Sequence, residues 1–209
     1  CVRKHGSNAG ITCFCNATPR LRLSITKLHK NFTQFSSVIV VCEYFFCKLS
    51  NIRIVISTAS VFTRRKRLFF ESDNDFNDVV MAVLNKNIGN SKKVFARGGS
   101  AGGLLMGAIM NLEPTLYKGI LSGVPFVDVL TTMSDPTIPL TTFEHGEWGN
   151  PANLDEYNYI KQYSPYDNIN DYNYPSVFVT SSLYDSQVQY FEPAKYIAKL
   201  RDHNQSAND

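Results

Sequence analysis

The stretch that decides the fold is Arg97-Gly98-Gly99-Ser100-Ala101-Gly102-Gly103. A Gly-x-Ser-x-Gly element of this kind fits a sharp strand-to-helix turn, where side chains beside the serine would collide and glycine is required. Such a turn leaves the Ser100 hydroxyl exposed above a sheet. The N–H of Ala101, opening the next helix, then faces any oxyanion formed there. The flanks supply this setting: residues 93–96 predict a short buried strand entering the turn, and residues 104–112 predict a buried helix leaving it, ended by Pro114. A phosphate-cradling loop is excluded, because no Gly-Lys-Ser/Thr follows. The dinucleotide-binding pattern needs its glycines at other positions.

Outward from the turn, residues 66 onward alternate between helical and strand patterns, which argues for α/β layering. Residues 75–84 carry apolar side chains at helical spacing behind acids in the first turn, and Asn87-Ile88-Gly89-Asn90 supplies a stop. Residues 119–124 and 176–180 predict short strands, the second started by Pro175. Residues 192–200 predict an amphipathic helix with Pro193 in its first turn. Between these lies a polar, aromatic stretch, residues 128–174, long enough to be an excursion that shapes a site. Asp185 follows the strand ending near Thr180, at the carboxyl edge where open α/β sheets gather functional groups. A loop aspartate alone is a turn or cap residue. This one also fits the chain order Ser…Asp…His of the hydrolase arrangement.

The 209 residues are 44% apolar and 19% charged, enough for one substantial core. Net charge is +3, yet residues 1–99 hold 16 Lys/Arg against 5 Asp/Glu, and residues 100–209 hold 5 against 13. The basic residues are scattered apart from Arg64-Arg65-Lys66-Arg67, and no recognition motif accompanies them, so no nucleic-acid partner is expected. Residues 1–65 contain one acid, Glu43, and are expected to be an irregular segment poorly suited to the fold. Their apolar run at 38–47 is interrupted and too short to span a membrane, so it predicts a buried or edge strand. All five cysteines lie in this segment at spacings that fit no zinc template, and His29 has no partner at ligand spacing, so no metal is expected. An odd cysteine count without a secretory signal leads to an expected cytoplasmic location with reduced thiols. No pattern sets an oligomeric state.

Several co-linear blocks carry a family resemblance. Residues 97–108 resemble the nucleophile block of the oligopeptidase B branch of the prolyl oligopeptidase serine peptidases. Gly123-Val124-Pro125-Phe126-Val127-Asp128-Val129, Asp135-Pro136-Thr137-Ile138-Pro139-Leu140-Thr141-Thr142, Glu147-Trp148-Gly149-Asn150-Pro151 and Tyr163-Ser164-Pro165-Tyr166-Asp167-Asn168 resemble the blocks after it. Leu183-Tyr184-Asp185-Ser186-Gln187-Val188 resembles the loop bearing the triad acid. The resemblance covers about residues 66–203 and implies an α/β-hydrolase fold, a mostly parallel sheet flanked by helices, partial here over residues 66–209. It implies a peptidase that cleaves short peptides after Arg or Lys without a cofactor. Ser100 would be the nucleophile, Asp185 the acid that orients the histidine, the Ala101 N–H an oxyanion donor, and Glu144 a carboxylate for the basic side chain.

The same resemblance marks departures. Gly146 stands where a second acid is expected, which should weaken recognition of a guanidinium. The family's histidine lies in a glycine-flanked loop well after the acid; here only His203 follows Asp185, at the end of a predicted helix, where it would complement the helix dipole. His145 precedes the acid, the wrong order. No tyrosine stands in His5-Gly6-Ser7-Asn8-Ala9-Gly10-Ile11-Thr12, the segment faintly similar to the strand bearing the second oxyanion donor. The chain is therefore expected to be a catalytic-domain fragment, nearly inactive alone. An esterase or lipase on the same fold, and a non-catalytic interaction module, are the alternatives.

Overall fold

A computed structural model describes Ile11–Thr12, Arg22–Leu23, Val38–Glu43, Arg53–Thr58 and residues 69–87 and 89–207. The cysteine reading lies outside these residues, except that Cys42 falls within a strand, as does most of the expectation for residues 1–65. Val38–Glu43 (β3) and Arg53–Thr58 (β4) belong to the central sheet, while Ile11–Thr12 (β1) and Arg22–Leu23 (β2) pair with each other.

The sheet has the order β3-β4-β5-β6-β7, where β5 is Val94–Gly99, β6 is Gly119–Gly123 and β7 is Ser176–Thr180. β3 runs antiparallel to β4, and every other pairing is parallel. Parallel neighbours cannot be joined by a tight turn, so the chain crosses over through helices. α1 (Phe69–Asn85) leads into β5, α2 (Ala101–Leu112) joins β5 to β6, and α6 (Phe191–His203) follows β7. α1 begins six residues before the first predicted helical position. Its buried positions 73, 76, 77, 80 and 83 recur at helical spacing, and it stops where Asn87 and Gly89 take positive φ.

The main core lies between one sheet face and α1, α2 and α6, with Val80, Met106, Ile109, Met110, Ile120, Tyr196 and Leu200 in one cluster. Each such side chain withdrawn from water stabilises the fold by about 1.5–3 kcal/mol. Buried Asn77 ties the helices together, its amide donating to the Ile109 carbonyl and its oxygen accepting from the Tyr117 hydroxyl. On the opposite face the register neighbours Leu121 and Phe178 are 39% and 64% exposed.

The stretch 128–174 forms three helices, α3 (Val129–Ser134), α4 (Thr141–Trp148) and α5 (Leu154–Tyr163). They build a second core above the carboxyl ends of β5 and β6, around Leu104, Phe126, Leu130, Trp148, Ile160 and Tyr163. The excursion is thus a helical cap with its own apolar centre.

Candidate active site

Ser100 stands between β5 and α2 with φ 54° and ψ −122°, a conformation that costs a non-glycine residue about 1–3 kcal/mol. The surroundings hold it there. Its N–H donates to the Gly123 carbonyl at 2.9 Å, and its carbonyl accepts from Gly103, Leu104 and Phe126 at 2.8, 3.2 and 3.2 Å. Gly98 is required by contact rather than by φ: a Cβ there would lie 2.1 Å from the Gly102 carbonyl oxygen. α2 starts directly at Ala101, three residues before the predicted start, and Ser100 occupies its N-cap without a side-chain capping bond. The hydroxyl is exposed and not consumed by the helix.

The hydroxyl opens on a cavity of about 350 Å³ whose lining includes Ser100, Ala101, Phe126, Glu144, Glu147 and Trp148. Phe126 and Trp148 meet edge to face, with ring centroids 5.0 Å apart, and form an apolar wall. The indole N–H of Trp148 donates to a Glu144 carboxylate oxygen at 2.8 Å. Glu147 lies one helical turn from Glu144 on α4 and lines the same cavity. Burial, and then the Glu144 charge, push its carboxyl above the ordinary value. Gly146 is exposed, and a Cβ placed on it would touch nothing within 4 Å.

Asp185 lies in the loop after β7. One carboxylate oxygen accepts from the Gln187 and Val188 amides at 2.9 and 3.0 Å, and these bonds, Val188 foremost, lower its carboxyl below the ordinary value. Gln187 and Val188 in turn line the cavity. The loop therefore carries an ionised acid beside the site, with its turn built from its own backbone.

Neither described histidine lines the cavity. His203 Nδ1 meets the Asp171 carboxylate at 2.6 Å, and His145 Nε2 meets the Met133 carbonyl at 3.0 Å. Among the described residues, no group of three or more His, Cys, Asp or Glu side chains is placed to hold a metal ion, and no helix is long and apolar enough to cross a membrane. The arrangement brings Ser100, Ala101 and Glu144 to one cavity and Asp185 to its rim. Sequence reasoning did not assign Phe126, Thr132 or Trp148. Phe126 and Trp148 lay within blocks that carried the family resemblance, Trp148 also at helical spacing from Thr141 and Glu144, and Thr132 carried no signal of its own.

The dipeptidyl aminopeptidase BI of Pseudoxanthomonas mexicana is 58% identical over 130 residues, which are 62% of this chain and 18% of that protein. Protease 2 of Moraxella lacunata is 50% identical over 131 residues, 61% of this chain and 19% of its own length. The chain thus spans less than a fifth of these curated relatives. Oligopeptidase B from Leishmania major superposes with a TM-score of 0.63 at 47% identity, over 65% of this chain and 19% of that one. The sheet and its helices are part of an α/β-hydrolase fold. Residues 70–208 match the model of the prolyl oligopeptidase family, and with the strained serine turn in place the chain belongs to that family.

Proposed function

We propose that this chain carries the nucleophile, acid and specificity cavity of a serine peptidase that cleaves short peptides after Arg or Lys. The observation that carries this reading is the uncommitted Ser100 hydroxyl, held at a strained turn beside a cavity that also presents Glu144 and Glu147. In the reaction, the Ser100 oxygen adds to the scissile carbonyl carbon while its proton passes to an imidazole base. Collapse of the tetrahedral adduct expels the amine, which takes that proton, and leaves an acyl ester on Ser100. Water attacks the ester by the same route and frees the acid. The Ala101 N–H, at the positive end of α2, stabilises the oxyanion. Asp185 orients the base, and the Glu144 carboxylate pairs with the cationic side chain of the substrate.

Among the described residues no histidine reaches the cavity to serve as that base, since His145 and His203 are engaged elsewhere. With no base at the cavity the chain alone would be nearly inactive, since loss of a triad member leaves only about 10³–10⁴-fold over water. Two carboxylates in the cavity favour a peptidase for basic substrates over an esterase for apolar acyl chains.

Binding of a short arginine peptide, compared with its neutral citrulline isostere, tests the specificity directly. The arginine form should bind about 10- to 100-fold more tightly, and Glu144→Gln should erase the difference. Equal binding of both peptides overturns the basic preference. Robust hydrolysis of an arginine-containing fluorogenic peptide by the purified chain, lost in Ser100→Ala, overturns the missing base.

A further inference from the structure

Glu192, the second residue of α6, is 1% exposed and has no place in the reaction above. One carboxylate oxygen accepts from the Val127 and Asp128 amides at 2.5 and 2.8 Å, and the other accepts from the Thr132 hydroxyl at 2.8 Å. These partners lie 60 to 65 residues away in the chain. Val127 and Asp128 belong to the turn that leaves Phe126 and Thr132 to α3 just beyond it, and the Phe126 amide itself donates to the Ser100 carbonyl. Phe126 and Thr132 both line the cavity. On its other side, the Glu192 amide donates to the Gln189 carbonyl, closing the loop that holds Asp185, Gln187 and Val188.

Three pieces of the site therefore meet at one residue: its carboxyl takes the turn after Phe126 and Thr132 of the cavity wall, and its backbone amide takes the acid loop. We propose that Glu192 is a positioning residue that fixes the Phe126–Asp128 turn against Ser100 and holds the Asp185 loop in register with both. The charges facing it are Asp128, from the turn before α3, and Lys195, one helical turn along α6, which pairs with Asp128. Both protonation states serve the role. The carboxylate accepts all three bonds, and the carboxylic acid keeps the two amide bonds while its O–H donates to the Thr132 oxygen. A glutamine reproduces the second pattern, whereas an alanine leaves two buried amides and a hydroxyl without partners.

The role rests on Ser100 being a nucleophile, but the hydrogen bonds do not, and two readouts on the chain separate these. Amide hydrogen exchange at Val127 and Asp128 reports the bonds, and the rate of Ser100 labelling by a fluorophosphonate probe, with free imidazole in solution standing in for the base, reports the nucleophile. In Glu192→Ala, exchange at the two amides should rise about 10- to 100-fold with core amides such as Val80 and Ile120 unchanged, and labelling should slow about tenfold. Glu192→Gln should restore both. Should the alanine variant fail to fold, Glu192→Asp, one methylene shorter, is read in the same way. Unchanged exchange, or equal acceleration throughout the core, overturns the proposal. Faster exchange without slower labelling overturns the positioning role alone, and absent labelling in the unsubstituted chain overturns the nucleophile reading together with it.

Discussion

The stability of this chain should fall as pH rises through neutrality, and Glu192 should be one cause. Burial pushes its carboxyl from 4.5 up to about 7, an effect the hydrogen bonds from Asp128, Thr132 and Val127 only partly offset. A group whose folded value is raised contributes its stability fully below the unfolded value and loses it as pH climbs through the folded value. The window runs from about pH 4.5 to just above pH 7. At 1.36 kcal/mol per unit, the shift amounts to about 3 kcal/mol of stability present at pH 4.5 and absent at pH 8. Asp73, 1% exposed and raised by burial, adds a slope of the same sign, so the profile of the unsubstituted chain alone does not isolate Glu192. Urea unfolding of the chain and of Glu192→Gln at half-unit steps from pH 5 to 8.5 does. The two should be nearly equally stable at pH 5, and the glutamine variant should be more stable by about 1–3 kcal/mol at pH 8. Parallel profiles for the two proteins would refute the reasoning, because they would place the ionisation of Glu192 outside this range.

Gly98→Ala should cost about 3 kcal/mol or prevent folding, since its Cβ would strike the Gly102 backbone, which cannot rotate away as a side chain could; thermal unfolding checks this. Lys195→Met strands the buried Asp128 carboxylate and should cost about 3 kcal/mol, most of it recovered when Asp128→Asn is added, as a double-mutant cycle in urea would show. Gly146→Glu meets open space and should change stability by less than about 0.5 kcal/mol. In the same variant, peptide binding should show a larger preference for arginine over citrulline, because the family resemblance expects a second acid at this position.

What was legible in the sequence followed from local rules. The glycines around Ser100, the apolar entry strand and the apolar exit helix each dictate backbone geometry within a few residues, and all three are present, with the strand ending and the helix starting three residues nearer Ser100 than read. The strands at 119–123 and 176–180 were legible for the same reason, with Pro175 punctuating the second. The helical cap was not. α4 contains Gly146 and begins without a side-chain capping bond, and α5 is dominated by polar and tyrosine residues, so neither shows a clear apolar stripe. Their burial comes from Trp148, Ile160 and Tyr163 meeting Phe126 and Leu130 from elsewhere in the chain. Glu192 was visible only as an acid in the first turn of a helix. Its partners lie some sixty residues upstream, and no spacing rule reaches that far.

The carbonyl of Ser100 takes three amides, and this has a kinetic meaning. With that oxygen pinned, the peptide plane joining Ser100 to Ala101 cannot rotate. The Ala101 N–H, which as the first of α2 has no acceptor inside the helix, is therefore aimed before any substrate arrives. Water dipoles must turn when charge develops on an attacked carbonyl, and much of a barrier in solution is the work of turning them. A donor already locked in direction by its neighbour's bonds does none of that work during the reaction, because folding has done it in advance. In the proposed reaction, the strain held at Ser100 would thus be matched by one donor, the Ala101 N–H, that has no reorganising left to do.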